Sequence, residues 1–358
     1  MRKVSTKYLR EGMKLAKAIY SSRGGLVMPS GVKMQEAQIK RLRQAGVTEV
    51  YIDDPRVEDI EIVEPVSDIT RIKAIRALRE AFLAVRSGGV NPKIDTGFLA
   101  QVAKEIHDDV VHNNPRVANL IEIKSQDDYL FVHAINVAIL SIIMARMGGY
   151  VSQSYDIALG ALLKDLGMAK LDPELLDRPA KFSPDELAIL KQHAEDSAGL
   201  FKGKSEVSAF AKVVIGQHHE RVDGSGYPQG LKEGQIHPLA KIVAIADTYA
   251  AMISDRPHRP KHRPYEAIEY IMSSAGFEFD HNLVDVFTKC TVPYPVGTMV
   301  KLSDGEKGVV VNLGRGLASR PIVRLFFDQN GQELPVCDEL NLSEPQHQTK
   351  LIVETLDE

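Results

Sequence analysis

The segment from Tyr129 to Met147 constrains the fold more than any other, because it is apolar on almost every face. A helix that is hydrophobic all round must be buried. The segment nevertheless carries His133 and Asn136. A single histidine in such a helix is more often a hydrogen-bonded core residue than a metal ligand, so the residue type alone leaves both interpretations open.

A second apolar segment, Ile157 to Met168, places Lys164 and Asp165 side by side in its interior. Burying a charged group costs several kcal/mol unless the group is paired or bound to a metal. Asp165 is therefore expected to have a partner, which is either a metal ion or Lys164 itself.

Further histidines and carboxylates follow on separate predicted helices. His193 lies in an amphipathic segment, and Asp247 lies in the apolar segment Leu239 to Ile253. Between them, an apolar run ends in His218-His219-Glu220 and then breaks into a Gly-Ser-Gly-Tyr-Pro loop. Helix bundles build di-metal sites from inward-facing side chains of this kind, with a carboxylate able to bridge the ions. The pattern therefore favours a metal site or a phosphate pocket beside this loop.

The composition is that of a soluble globular protein, with 44% hydrophobic residues and a net charge of -4 that gives no overall bias toward nucleic acid. The sequence indicates neither a signal peptide nor an apolar run long enough to span a bilayer. We therefore expect a cytoplasmic protein with no membrane or nucleic-acid partner. Cys290 and Cys337 lie far apart and outside any Cys-x-x-Cys pattern, so any metal is expected to use His, Asp and Glu.

The flanking segments predict smaller units. Residues 1–65 alternate short apolar runs with turn residues, which predicts a small α/β accessory module. Residues 66–126 predict a helical connector, in which the amphipathic stretch 68–86 either packs on its neighbour or forms a homodimer. Residues 127–292 predict the helical bundle. Residues 293–358 switch to short strands with Asp-Gly and Asn-Gly turns, so the expected fold class is mainly α, with a small C-terminal β-barrel-like domain.

Three arginines stand near one another in the C-terminal segment: Arg315, Arg320 and Arg324. They could form a modest basic patch. Because no aromatic residues are interleaved with them, they favour a solvated surface over a nucleic-acid site.

In this order, the histidines, carboxylates and loop resemble the HD-GYP branch of the HD phosphohydrolase superfamily. The resemblance covers residues 127 to 290, and its most specific part is the run from His218 to Pro228. The segments Ile242 to Asp247 and Arg256 to Arg259 follow at the spacing that the family uses. The resemblance implies a helical bacterial signalling enzyme that hydrolyses cyclic di-GMP to the linear dinucleotide or GMP with two or three iron or manganese ions.

Carried over position by position, the resemblance assigns roles to individual residues. It implies a first metal site with three ligands: His133, Asp165 and Asp247. It implies a second metal site, bridged by the catalytic Asp165, with three histidine ligands: His193, His218 and His219. It also implies a substrate pocket of five residues: Gly224, Gly226, Tyr227, Arg256 and Arg259.

Four positions depart from the family pattern: Tyr129, Lys164, Met168 and Ala250. Lys164 replaces the histidine of the name-giving His-Asp pair. Its ammonium has no lone pair to offer a metal, so we expect it to pair with Asp165 and to occupy part of the missing cation's place. Met168 replaces a lysine, Ala250 an aspartate, and Tyr129 a carboxylate that some members carry.

These departures predict reduced or lost hydrolysis. The site is expected to bind one ion, two ions or none. The leading interpretation is a cyclic di-GMP phosphodiesterase with an impaired first metal site. The alternative is a catalytically inactive module that binds cyclic di-GMP, or a signalling protein, through the Gly-Tyr-Pro loop. A nucleotidase or guanosine-tetraphosphate hydrolase of another HD branch is less well supported, because the Asp-Gly-Ser-Gly-Tyr-Pro loop points elsewhere.

Overall fold

A helical bundle forms the middle of the chain, and a small sheet lies on either side of it in sequence. The computed structural model describes residues 1–20, 25–60, 62, 64–89, 92–115, 129–177, 182–254, 261–314, 318–335 and 337–357. Arg256, Arg259 and Arg315 lie outside the described residues. The mainly α fold class with two flanking modules is confirmed, whereas the boundaries at residues 65, 126 and 292 stay predictions.

The N-terminal module is an antiparallel sheet covered by one helix. Its elements are β1 (Arg2–Ser5), β2 (Lys14–Leu15), β3 (Ile19–Tyr20), β4 (Leu26–Met28), α1 (Glu36–Gln44) and β5 (Glu49–Asp53). Strand β5 lies between β1 and β2, and β3 pairs with β4 as a separate hairpin. The module has its own core, in which Leu15, Met34 and Leu42 are buried.

The central bundle follows from its apolar sequence. Its helices are α2 (Asp68–Ser87), α3 (Thr96–Asn113), α4 (Tyr129–Met147), α5 (Ser154–Leu163), α6 (Pro173–Asp177), α7 (Pro184–Lys191), α8 (His193–Leu200), α9 (Ala209–Gln217), α10 (Pro238–Met252), α11 (Pro264–Ser273) and α12 (His281–Cys290). Helix α4 packs against α5, α10, α12 and α2, and every residue from Phe131 to Ala145 is buried.

The expectation that no apolar run is long enough to span a bilayer is wrong for helix α4, the one element of the described chain that is long and apolar enough to cross a membrane by length and composition. Within its most hydropathic window, 83% of the residues are buried inside the fold. Its neighbours in the bundle therefore cover its apolar surface, as the sequence predicts.

The predicted helix Ile157 to Met168 is shorter than expected. Helix α5 ends at Leu163, and a 3-10 turn follows at Leu166–Lys170. The turn packs tightly on α8, because the Gly167 amide donates to Ser197 Oγ at 2.8 Å and a Cβ at Gly167 would collide with the backbone of α8. This contact between distant segments ends the helix, and it lets two consecutive side chains, Lys164 and Asp165, both enter the core.

Helix α2 uses its apolar stripe within the chain. Ile75, Leu78, Phe82 and Val85 are buried, and the helix contacts α3, α4 and the 3-10 turn after Asp165. At that turn, Arg86 Nε donates to Ala169 O at 3.4 Å. Packing on its own neighbours therefore accounts for the stripe, and a homodimer through residues 68–86 stays a prediction.

The C-terminal module is an open antiparallel sheet. Its strands are β6 (Met299–Leu302), β7 (Lys307–Asn312), β8 (Ile322–Phe327), β9 (Glu339–Asn341) and β10 (Ile352–Leu356). They lie in the order β10-β6-β7-β8-β9. In the described residues β9 and β10 form the two edges, so the sheet is barrel-like without closing.

The prediction that the three C-terminal arginines form a solvated surface is wrong for two of them. Arg324 binds both carboxylate oxygens of Asp59 at 2.6 Å. Arg320 donates to Leu342 O at 2.6 Å and to Lys350 O at 3.1 Å. Both guanidinium groups hold segments of the fold together, because fixed carbonyl and carboxylate groups surround their planar set of donors.

The N-terminal and C-terminal modules pack on each other around Asp54. Its carboxylate accepts from Arg2 Nε at 2.9 Å and from Arg56 Nη2 at 2.7 Å, and the Arg56 guanidinium lies 3.8 Å above the ring of Phe326. Burial alone would raise the pKa of Asp54, but the hydrogen bonds from Arg56 and Arg2 outweigh it and lower the pKa to about 2. Asp54 therefore stabilises this junction as an anion.

Replacing Asp54 is expected to destabilise the junction in a pH-dependent way. Asp54→Asn should lower the free energy of unfolding by about 2 kcal/mol at neutral pH, since charge-assisted hydrogen bonds are lost. Because the folded-state pKa is depressed, the stabilisation is full above the unfolded pKa and is lost as the pH falls toward 2. Urea unfolding followed by circular dichroism at pH 7 and pH 3 measures both effects.

The matched control is Asp53→Asn, which removes an exposed carboxylate next to Asp54 that pairs with Lys14. Its effect should stay below about 1 kcal/mol, as for other surface ion pairs. Equal effects of the two substitutions at both pH values would contradict the assignment.

Candidate metal centre

The six predicted metal ligands meet where five helices of the bundle converge. They come from α4 (His133), the end of α5 (Asp165), α8 (His193), the end of α9 (His218 and His219) and α10 (Asp247). Their potential ligand atoms form two groups that share Asp165, and the atoms of each group lie within 4.8 Å of one another. One group joins Asp165 to the three histidines 193, 218 and 219, and the other joins it to His133 and Asp247.

In the three-histidine group, backbone carbonyls orient two of the imidazoles in the way that metal-binding histidines require. His193 and His218 each place Nδ1 against a backbone carbonyl, that of Leu190 at 2.7 Å and that of Ile215 at 2.8 Å. An Nδ1–H that donates to a carbonyl leaves Nε2 with its lone pair, which is the arrangement that metal-binding histidines adopt. The two Nε2 atoms lie 3.4 Å apart and face Asp165 Oδ1 at 3.5 and 3.7 Å.

The protonation states of this group suit a cation. Burial lowers the pKa of His193, and burial together with the neighbouring His218 lowers the pKa of His219 well below its usual value. Both rings are therefore neutral near pH 7. Imidazole and carboxylate side chains are a donor set that fits a divalent transition metal.

The second group has a different occupant, the ammonium of Lys164. Lys164 is fully buried, and its Nζ lies 2.7 Å from Asp247 Oδ1, 3.3 Å from His133 Nε2, and in contact with Asp165 Oδ2. Burial alone would lower the pKa of Lys164, but Asp165 and Asp247 outweigh it and raise the pKa. The positive charge therefore stays on the side chain and contacts all three predicted ligands of the first metal.

His133 also lacks the support that His193 and His218 have. Its Nε2 lies 2.8 Å from Asp247 Oδ1, while its buried Nδ1 has no hydrogen-bond partner among the residues that the structure describes. Tyr129 stacks on the ring, with centroids 5.6 Å apart. Metal-binding histidines almost always donate their second N–H, so His133 differs in this respect from His193 and His218.

The Gly-Tyr-Pro loop covers the three-histidine group. Tyr227 stacks on His219 with ring centroids 4.5 Å apart, and Gly224 has a φ of 87°. A Cβ at Gly226 would collide with the backbone of Glu220 and Arg221. Only glycine allows this close return of the loop onto the histidine segment. The substrate roles predicted for Gly224, Gly226 and Tyr227 stay predictions, as do those of the metal ligands.

Two residues near the site had no role in the sequence interpretation. Lys191 is exposed on α7, with its Nζ 5.2 Å from the Tyr227 ring centroid. Glu220 is buried and accepts hydrogen bonds from the amides of Gln229 and Leu231. The position of Glu220 directly after two histidines could have indicated a role at the site. Lys191 is one lysine on an amphipathic helix, and nothing in the sequence sets it apart from other surface lysines.

Comparisons with known proteins identify two family matches and one similar solved structure. A family described as "HD domain" matches residues 115–283, and one described as "KOW domain associated with HD domain" matches residues 299–358. Among solved structures, an "HDG"Y"P protein" from Bdellovibrio bacteriovorus gives a TM-score of 0.49 at 19% identity, over 80% of this chain and 97% of that one.

Curated relatives share the sequence more closely. A cyclic di-GMP phosphodiesterase of Pseudomonas aeruginosa is 30% identical over 331 residues, which are 85% of this chain and 78% of the relative. A cyclic di-GMP phosphodiesterase of Thermotoga maritima is 35% identical over 37% of each chain. A 3'3'-cGAMP-specific phosphodiesterase of Vibrio cholerae is 35% identical over 40% of this chain and 33% of the relative.

The match to the Pseudomonas relative extends well beyond the bundle, and the HD domain match contains all six clustered candidate ligands. The chain therefore belongs to the HD-GYP family.

Proposed function

We propose that this protein binds cyclic di-GMP, holds one divalent metal ion, and hydrolyses the dinucleotide slowly. The observation that carries the proposal is the buried ammonium of Lys164, which contacts His133, Asp165 and Asp247. The names of the curated relatives support cyclic di-GMP as the ligand.

The single ion is proposed to bind in the three-histidine group. Its ligands would be Asp165, His193, His218 and His219, of which His193 and His218 are oriented by backbone carbonyls. Imidazole and carboxylate donors suit iron or manganese, the metals implied by the family resemblance. When bound, the ion supplies positive charge that polarises a phosphate oxygen and makes a water molecule more acidic.

The chain's own residues would supply the remaining parts of the site. Arg256 and Arg259 are proposed to grip the non-bridging phosphate oxygens, because guanidinium groups bind phosphate with two parallel hydrogen bonds. Gly224 and Gly226 would let the backbone approach the guanine or phosphate. Tyr227 would hold His219 in place by stacking.

Slow hydrolysis follows from the charge of Lys164. The ammonium carries a single positive charge, it offers no open coordination position, and its contacts occupy Asp247 and His133. The site therefore has half of the charge that a divalent ion would bring to the same place, and it has no means of activating water there.

The buried ammonium of Lys164 also favours a second candidate function, that of a binding module without turnover. In this case cyclic di-GMP or a signalling protein would bind at the Gly-Tyr-Pro loop, and the ion would be structural. Formation of linear dinucleotide by the wild-type protein, above the level of a His218→Ala variant, separates the first function from the second.

Metal content is expected to differ between variants of the two groups. Protein purified without oxygen and loaded with iron or manganese should contain about one ion per chain. His218→Ala should lose the ion, because one of its proposed ligands is removed, and His133→Ala should keep it. Elemental analysis measures the metal content of the wild type and of both variants. A His133→Ala variant that loses the ion while His218→Ala keeps it would contradict the proposal.

Restoring the missing histidine is expected to restore the second ion. Lys164→His should raise the metal content to two ions per chain and should increase linear dinucleotide formation on the order of 100-fold, since even outer contacts of metal sites change activity 10–100-fold. Adding Met168→Lys and Ala250→Asp should increase it further. Chromatography of the reaction products measures the rate.

The matched control is Lys170→His, which makes the same substitution at a lysine that is partly exposed and pairs with Asp196 at 2.6 Å. It should leave both metal content and rate unchanged. A wild-type protein that already holds two ions would overturn the role proposed for Lys164.

A further inference from the structure

Glu220 is a buried carboxylate that the proposed reaction does not use. It is 2% exposed, and it follows directly after His219. Its Oε1 accepts from the Gln229 amide at 2.8 Å and its Oε2 accepts from the Leu231 amide at 2.8 Å. Each carboxylate oxygen therefore holds one backbone amide from the far side of the Gly-Tyr-Pro loop, through charge-assisted hydrogen bonds.

The near side of the loop is attached to the same segment. The Tyr227 amide donates to His219 O at 3.2 Å, and Gly226 packs against the backbone of Glu220 and Arg221. Residues before and after the Tyr227-Pro228 pair are thus both held by the His219-Glu220 segment. This arrangement fixes the position of the Tyr227 ring relative to the imidazole of His219.

His219 needs such support more than the other two histidines do. Backbone carbonyls hold Nδ1 of His193 and of His218. Within the described residues, no carbonyl plays this part for His219, whose Nδ1 lies 3.8 Å from Asp247 Oδ2. The stacked Tyr227 ring, 4.5 Å from the His219 ring centroid, covers one of its faces.

We propose that Glu220 is a positioning residue for the metal ligand His219, and that it acts by holding the loop so that Tyr227 stays stacked on the imidazole. The inference rests on the proposed function in that it assumes His219 binds the ion. Outer contacts that orient histidine ligands commonly change metal affinity 10–100-fold, so a loop anchor of this kind has a measurable effect.

The substitution Glu220→Gln tests the anchor with little change in shape. A glutamine oxygen can accept one of the two amides, but its NH2 group faces the other and offers no acceptor. In the metal-free full-length protein, hydrogen exchange at Gln229 or Leu231 should become about tenfold faster, as expected for the loss of one charge-assisted bond. The amides of Phe131 to Ala145 in α4 should keep their protection.

Glu233→Gln is the matched control, because it makes the same change at an exposed glutamate of the same loop. Its exchange rates at Gln229 and Leu231 should equal those of the wild type. Unchanged exchange in Glu220→Gln would overturn the anchor. Faster exchange throughout α4 would overturn it as well, because Glu220 would then stabilise the whole bundle rather than the loop.

A second measurement separates positioning from mere stability. Competition with a chelator should show that Glu220→Gln binds Mn²⁺ about tenfold more weakly than the wild type, whereas Glu233→Gln binds it equally well. An opened loop with unchanged Mn²⁺ affinity would overturn the link to His219. If the wild type binds no Mn²⁺, the proposed function and the link to His219 both fail, while the exchange experiment still decides whether Glu220 anchors the loop.

Discussion

The contact on which the site depends is that between the Lys164 ammonium and the carboxylates of Asp165 and Asp247. Two aspartates in an apolar core would repel each other and would favour their protonated forms. The ammonium between them lowers the pKa of both, although burial acts in the opposite direction. The core thus contains two ionised carboxylates without requiring a metal ion beside His133, and Asp165 keeps its charge for the three-histidine group.

The surrounding helices explain why this arrangement is rigid. Helix α4 is buried from Phe131 to Ala145, and the turn after Asp165 is packed on α8 through Gly167 and Ser197. Close-packed interiors allow side chains little freedom, so the packing keeps the candidate ligand atoms near one another. The loop is held differently, by polar contacts to Glu220 and by stacking on His219.

Much of this could be predicted from the sequence, and the reasons for the exceptions are physical. The apolar pattern of residues 129–147 predicts burial because hydrophobicity is a local property. The family resemblance predicts that the six ligands converge, and the structure brings them together. The end of α5 at Leu163 was missed because it depends on Gly167 meeting a helix some thirty residues later in the chain. Arg320 and Arg324 were misjudged for the same reason, since Arg320 bonds to the backbone of Leu342, 22 residues later, and Arg324 binds Asp59 near the N-terminal module.

Helix α2 lies in sequence between the N-terminal module and the rest of the bundle. It has 20 residues, so it is roughly 30 Å long. It begins at Asp68, after the strands of the N-terminal sheet, and Arg86 near its other end donates to the carbonyl of Ala169, four residues after Asp165. Its apolar stripe is buried against α3, α4 and this turn. One helix therefore links the N-terminal side of the bundle directly to the turn that follows Asp165.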